Sequence, residues 1–171
     1  MTQPITLGDA WPGFTPKGTV ILPVPGNRWP ARRKPLALHG CRFRPKRELH
    51  VTLVGKALGA RLKAAMNAGA LTEEDLASAF ALQTWRCVRN GRCVRLRKAA
   101  APGTTEAAIE SVIERIALPA MAGFHDALGR LLRESLPVPP AHVTLYTHGD
   151  DEGIGVPDEA TLDALTVDIA G

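Results

Sequence analysis

The tetrapeptide His-Val-Thr-Leu occurs twice in this chain, at 50–53 and again at 142–145. In an extended strand successive side chains alternate between two faces. His50 and Thr52 therefore share one face, with Val51 and Leu53 on the other, and His142 and Thr144 are set against Val143 and Leu145 in the same way. The chain must build two strands of one design. Each has an apolar face that needs a core behind it, and a face carrying an imidazole beside a hydroxyl. If the fold brings the two polar faces together, they form a cleft with two histidines and two threonines.

The rest of the chain reads as mixed strands and helices. Residues 1–18 are rich in Gly and Pro and read as an irregular arm. The β-branched run at 19–24 predicts a strand, with Pro23 placing it at an edge or near its own end. Residues 25–48 hold Pro25-Gly26, Pro30, Pro35, Gly40 and Pro45 and read as a loop. The first motif strand runs from about Glu48 to Val54. Helical spacing of Leu58, Leu62, Ala65 and Met66 predicts a helix from Lys56 to Asn67. Thr72-Glu73-Glu74-Asp75 resembles a capping box that opens a second helix to about Ala81. Asn90-Gly91, between two alternating runs, predicts a type I′ hairpin over 83–98, with Arg95 and Arg97 on one face and Val94 and Leu96 on the other. A strand is expected at 110–117, although Ala and Glu there also favour helix. A helix follows from Pro119 to about Ser135, then the stiff connector 136–140, the second motif strand at 141–147, an acidic turn at 149–155, a short helix near 158–164 and a closing strand at 165–169. This order argues for one α+β domain over 1–171 with a largely antiparallel sheet.

With 171 residues the chain can bury a sizeable core, and its 45% apolar and 22% charged composition is ordinary for a globular domain. No apolar run approaches the ~18 residues of a membrane span. The N-terminal residues lack the basic and apolar regions of a secretory signal. Cys41, Cys87 and Cys93 are odd in number and lack metal-ligand spacing, which points to a reduced, cytoplasmic setting. Cys87 and Cys93 would face each other across the expected hairpin.

Charge is unevenly distributed. Residues 28–63 hold eleven Arg or Lys and one acid, Glu48, and residues 84–98 hold six more and no acid, whereas the last 26 residues hold seven acids and no Arg or Lys. A positive surface of this kind attracts phosphate-bearing ligands, although a solvated basic face reads the same way.

Two histidines flanking a phosphorus can divide proton transfer, because imidazole titrates near neutrality. One takes a proton from the attacking oxygen and the other gives one to the leaving oxygen. Threonine hydroxyls on the same face can donate to non-bridging oxygens, and Arg95 and Arg97 can neutralise further phosphate charge. No metal or cofactor is required.

Two His-h-Thr-h motifs (h apolar) with histidines at 50 and 142, in a small α+β chain, resemble the 2H phosphoesterase superfamily, which includes 2′-5′ RNA ligase-like proteins and 2′,3′-cyclic phosphodiesterases. The resemblance implies two lobes of largely antiparallel sheet with flanking helices around a central groove. It implies metal-independent chemistry on 2′,3′-cyclic phosphate or 2′-5′ linkages of RNA or nucleotides. His50 and His142 would be the acid–base pair, Thr52 and Thr144 the phosphate binders, and Tyr146 a platform for the substrate base. The second half of the chain fits this pattern well. The first departs from it, because a Pro-rich basic loop stands where many members place a helix. The expected protein is monomeric. Three rivals stay open: ligation through the same site, a non-catalytic RNA or nucleotide binder using 28–47 and 84–98, and a small-metabolite phosphoesterase.

Other residues read more plainly. His148 shares strand parity with His142 and reads as a strand-end polar residue. His39, His125, Trp11, Trp29 and Trp85 read as structural. The glycines at 149–155 lack the Lys-Ser/Thr of a phosphate loop.

Overall fold

Strand formation at the two motifs fixes the centre of the molecule. The structure is a computed structural model that describes residues 3–29 and 34–170. It is α+β, with one antiparallel sheet curled into a half-barrel and flanking helices. In chain order the elements are β1 (Ile5–Thr6), β2 (Val20–Pro23), β3 (Leu36–Leu38), β4 (Cys41–Pro45), β5 (His50–Val54), α1 (Lys56–Asn67), α2 (Glu73–Ala81), β6 (Arg86–Lys98), β7 (Ile109–Ala117), α3 (Ala120–Leu132), β8 (His142–His148), α4 (Glu159–Leu165) and β9 (Thr166–Ala170). The second motif strand, β8, is central. On one side it pairs with β7 along most of its length. On the other it meets β5 at Val51↔Val143 and β4 at Arg44↔Thr147.

The apolar face of the motifs does what its pattern requires. Val51, Leu53, Val143 and Leu145 are fully buried in the main core with Val20 and Leu22 of β2, Leu62 of α1, Leu76 and Phe80 of α2, and Phe124 and Leu128 of α3. A smaller cluster on the opposite face joins Val94, Leu96 and Ile113 to Ile154, Val156 and Leu162 of α4. The N-terminal arm folds back onto the main core. Ile5 pairs with Cys87, and the Trp11 ring lies edge-on to Phe80 at 5.7 Å.

Both central helices have the expected ends. Thr72 accepts from the Asp75 amide at 3.2 Å, and the Asp75 carboxylate accepts from the Thr72 amide at 2.7 Å. This reciprocal cap stabilises the first turn of α2 by ~1 kcal/mol.

Two turns differ from expectation. Asn90-Gly91 closes no hairpin, because β6 runs through it as one strand along β7. The register passes from Arg89↔Ile116 to Cys93↔Glu114, so two extra residues bulge out. Gly91 has φ +69°, and the Asn90 side chain accepts from the Arg92 amide at 2.8 Å. A left-handed glycine serves a bulge as well as a turn, and here the nine-residue partner β7 decides. Cys87 and Cys93 therefore do not face each other, and no disulfide joins the cysteines of the described residues. The tight two-residue hairpin lies instead at His39-Gly40, with φ of 49° and 76°, joining β3 to β4 inside the region expected to be loop. Positive φ at both central residues is the type I′ requirement.

A buried charge cluster ties the start of the basic loop to the sheet. Glu114 is 1% exposed and receives Arg89 through two hydrogen bonds of 2.9 Å, with the Trp29 indole N–H as a third donor at 3.2 Å. The Arg89 guanidinium also lies 4.9 Å from the Trp29 ring centre. No helix among the described residues is long and apolar enough to cross a membrane.

Candidate active site

The two motifs lie side by side and antiparallel. Val51 is directly opposite Val143. Continuing that register by one residue each way sets His50 opposite Thr144 and Thr52 opposite His142. Each histidine thus has the other motif's threonine as its neighbour, related by a local two-fold axis through the valine pair. Directly opposed side chains have roots ~4.5–5.5 Å apart, and diagonal ones ~7–8 Å. The two imidazoles sit on one diagonal of this four-residue face. All four side chains are half-buried.

Their surroundings disfavour the protonated form of both rings. Burial pushes the His50 imidazole below its ordinary value, and the positive Lys46 and His142 push the same way against Glu48. Burial also lowers His142, opposed by its bond to the Pro140 carbonyl and assisted by Arg115. His142 Nδ1–H donates to the Pro140 carbonyl oxygen at 2.8 Å. That bond fixes the ring orientation and leaves Nε2 for proton transfer. Behind β5, His125 Nε2–H donates to the Leu53 carbonyl at 2.7 Å, and burial lowers its pKa too.

On the other side of His142 stands Arg115, its direct partner on β7, with Ile113 opposite Thr144. Arg115 is held by Glu159 of α4 at 2.6 Å. Ser111 also lies on this face. It is 0% exposed, and its hydroxyl has no hydrogen-bond partner. Arg115 and Ser111 alternate with the core-facing residues of the expected 110–117 strand. Strand alternation sets their parity but not their pairing with β8. Lys46, four residues before His50, lies in the Pro-rich stretch that reads as loop, and no local pattern there marks it as a neighbour of the site.

The structure does not bring every candidate here. Arg95 is opposite Val112 and Arg97 opposite Glu110, whereas Ile113 is opposite Thr144, so both arginines project from the other face of the sheet. Arg95 is 14% exposed and bonded to Glu110 at 2.9 Å and Asp168 at 3.1 Å, and Arg97 lies 3.5 Å from Glu110. Tyr146 also leaves the histidine face. The β7–β8 register steps from Ile113↔Thr144 to Val112↔Tyr146, making Leu145 the extra residue of a bulge. The bulge turns Leu145 and Tyr146 both into the main core, where Tyr146 is 9% exposed. Parity beyond Thr144 is reversed for His148 as well. Its ring lies 5.6 Å from Phe43, and its Nδ1–H donates to the Arg42 carbonyl at 2.8 Å.

The basic surface is partly neutralised by the acidic end of the chain. Arg44 pairs with Asp151, Lys17 and Lys56 with Glu152, Arg115 with Glu159, and His39 and Arg95 with Asp168. Arg32 and Arg33 of the basic loop lie outside the described residues. Among the described residues, no three His, Cys, Asp or Glu side chains are grouped to hold a metal ion. No family model, curated protein or solved structure matches this chain.

Proposed function

We propose that the protein is a phosphodiesterase acting on 2′,3′-cyclic phosphate or 2′-5′ linkages of RNA or nucleotides, with His50 and His142 as the acid–base pair. The observation that supports this reading is the Val51↔Val143 pairing, which joins the two motifs into one four-residue polar face. A phosphorus above that face would have an imidazole on each side. One imidazole takes the proton of the attacking water or hydroxyl, and the other, protonated, gives its proton to the departing ribose oxygen. Thr52 and Thr144 donate hydroxyl hydrogen bonds to the non-bridging oxygens, where charge builds in the transition state. Arg115, in place of Arg95 and Arg97, adds positive charge beside His142. Hydrolysis and ligation are opposite directions through the same site. The two halves of the sheet, meeting at β5 and β8, would form the lobes of the groove.

The test is turnover of 2′,3′-cyclic nucleotides in EDTA across pH. Activity should persist with chelator. Only the singly protonated histidine pair is competent, and both rings titrate below the ordinary ~6.5. The optimum of kcat/KM for the free enzyme should therefore lie on the acid side of ~6.5, whichever ring is the acid. Loss of activity in EDTA would sink the metal-free mechanism.

A further inference from the structure

The acidic turn after β8 folds back over the candidate site. Gly153, at φ +87°, packs so closely that a Cβ there would lie 3.2 Å from Thr144 Cγ2, 3.4 Å from its hydroxyl and 3.5 Å from the Ser111 hydroxyl. The neighbouring residues are held by lysines from three separate parts of the chain. Lys17 of the arm and Lys56 of α1 both reach the Glu152 carboxylate, the second at 3.0 Å, and Lys46 donates to the Asp151 carbonyl at 2.6 Å. The arm is fixed beside α1. A Cβ on Gly59 would come 1.8 Å from the Gly18 carbonyl oxygen, so only glycine allows the approach that sets Lys17 next to Lys56. Lys56 opens α1, whose first turn has no side-chain cap and no acid to offset the positive end of the helix.

Three ammonium groups gathered around one carboxylate and one carbonyl make an anion site, and a phosphate group accepts the same charge-assisted hydrogen bonds as a carboxylate. Beneath the same turn lies the unpartnered Ser111 hydroxyl, an unusual loss for a fully buried polar group. Lifting the turn would give it and Thr144 an open side.

We propose that Lys17, Lys46 and Lys56 form a second anion site for a non-reacting phosphate of an oligonucleotide, a site that the chain's own Asp151–Glu152 segment fills in this structure. The nucleic-acid identity of the ligand rests on the phosphodiesterase reading. The exchange is one anion for another. The substrate's neighbouring phosphate takes the lysines from Glu152, the turn comes away, and Gly153 leaves the hydroxyls of Thr144 and Ser111. Binding energy from a remote phosphate is thereby used to open the reacting site. The preferred substrate is then an RNA fragment with at least one phosphodiester besides the terminal cyclic phosphate.

The test is equilibrium binding of a labelled single-stranded RNA of about six nucleotides ending in a 3′-phosphate, measured over a range of salt. Glu152→Gln removes the internal competitor and should tighten binding severalfold. Lys17→Ala/Lys56→Ala should weaken it by roughly tenfold at low salt and reduce the salt slope by about 0.7, the share of one phosphate on a single strand. Arg130→Ala, at an exposed position of α3, should keep the wild-type isotherm. A turn that is merely latched shut would be freed by both variants, so shifts in the same direction, or no shift in either, overturn the proposal. Opposite shifts in a protein that turns over neither cyclic phosphates nor 2′-5′ linkages would uphold the anion site and refute the phosphodiesterase. Turnover without the shifts would do the reverse.

Discussion

His50→Ala and His142→Ala should each lower kcat on a 2′,3′-cyclic nucleotide by ~10²–10⁴-fold. Both should leave the protein folded, because neither ring carries core packing and both lie on the polar face of their strands. The double variant should be little worse than the more damaged single one, since an acid and a base that act in one step fail together. Thr52→Val and Thr144→Val keep the shape and remove only the hydroxyls, so their smaller losses would separate phosphate contact from proton transfer. Circular dichroism and steady-state kinetics on the same preparations check the outcome. Full activity in either histidine variant would break the paired mechanism.

The largest effect on stability is expected at Arg89. Glu114 is the most deeply buried acid on the sheet, and its charge is balanced by Arg89, with the Trp29 indole N–H as a further donor. Arg89→Met leaves that carboxylate facing the indole alone. Breaking a buried pair from one side costs about 3–5 kcal/mol, or roughly 10 °C in Tm for a chain of this size. Adding Glu114→Leu removes the stranded charge and should recover most of the loss. Thermal unfolding of the two variants decides this. If the double variant were as unstable as the single, the cluster would contribute more than charge balance.

Local signals were legible in the sequence where they depend on neighbours along the chain. The helix at Lys56–Asn67, the capping box at Thr72 and the two motif strands follow from periodicity and from side chains that bond within one turn. Cross-strand register was not legible. Asn90-Gly91 and His39-Gly40 can both adopt positive φ, and only the partner strands decide which becomes a turn and which a bulge. The same limit governs the site. Alternation placed His50 with Thr52 and His142 with Thr144. It failed for Tyr146 because one extra residue, Leu145, reverses the faces, and strand patterning carries no mark of that bulge. Arg95 and Arg97 carry the right charge for a phosphate, but charge does not set the face they occupy. Which face they occupy depends on how β6 pairs with β7, and Glu110 and Asp168, which hold Arg95, are distant in sequence. Arg115 is a neighbour of His142 only through the pairing of β7 with β8, which lies outside any local pattern.

The central claim is that His50 and His142 converge on one phosphorus. A crystal structure of the protein with a bound nucleoside 2′-phosphate tests it most directly. The account predicts the phosphorus over the Val51–Val143 pair, with one ring nitrogen of each histidine about 3 Å from a phosphate oxygen and the Thr52 and Thr144 hydroxyls donating to others. A phosphate held on the Arg95–Arg97 face, or touching only one of the two motifs, would contradict it.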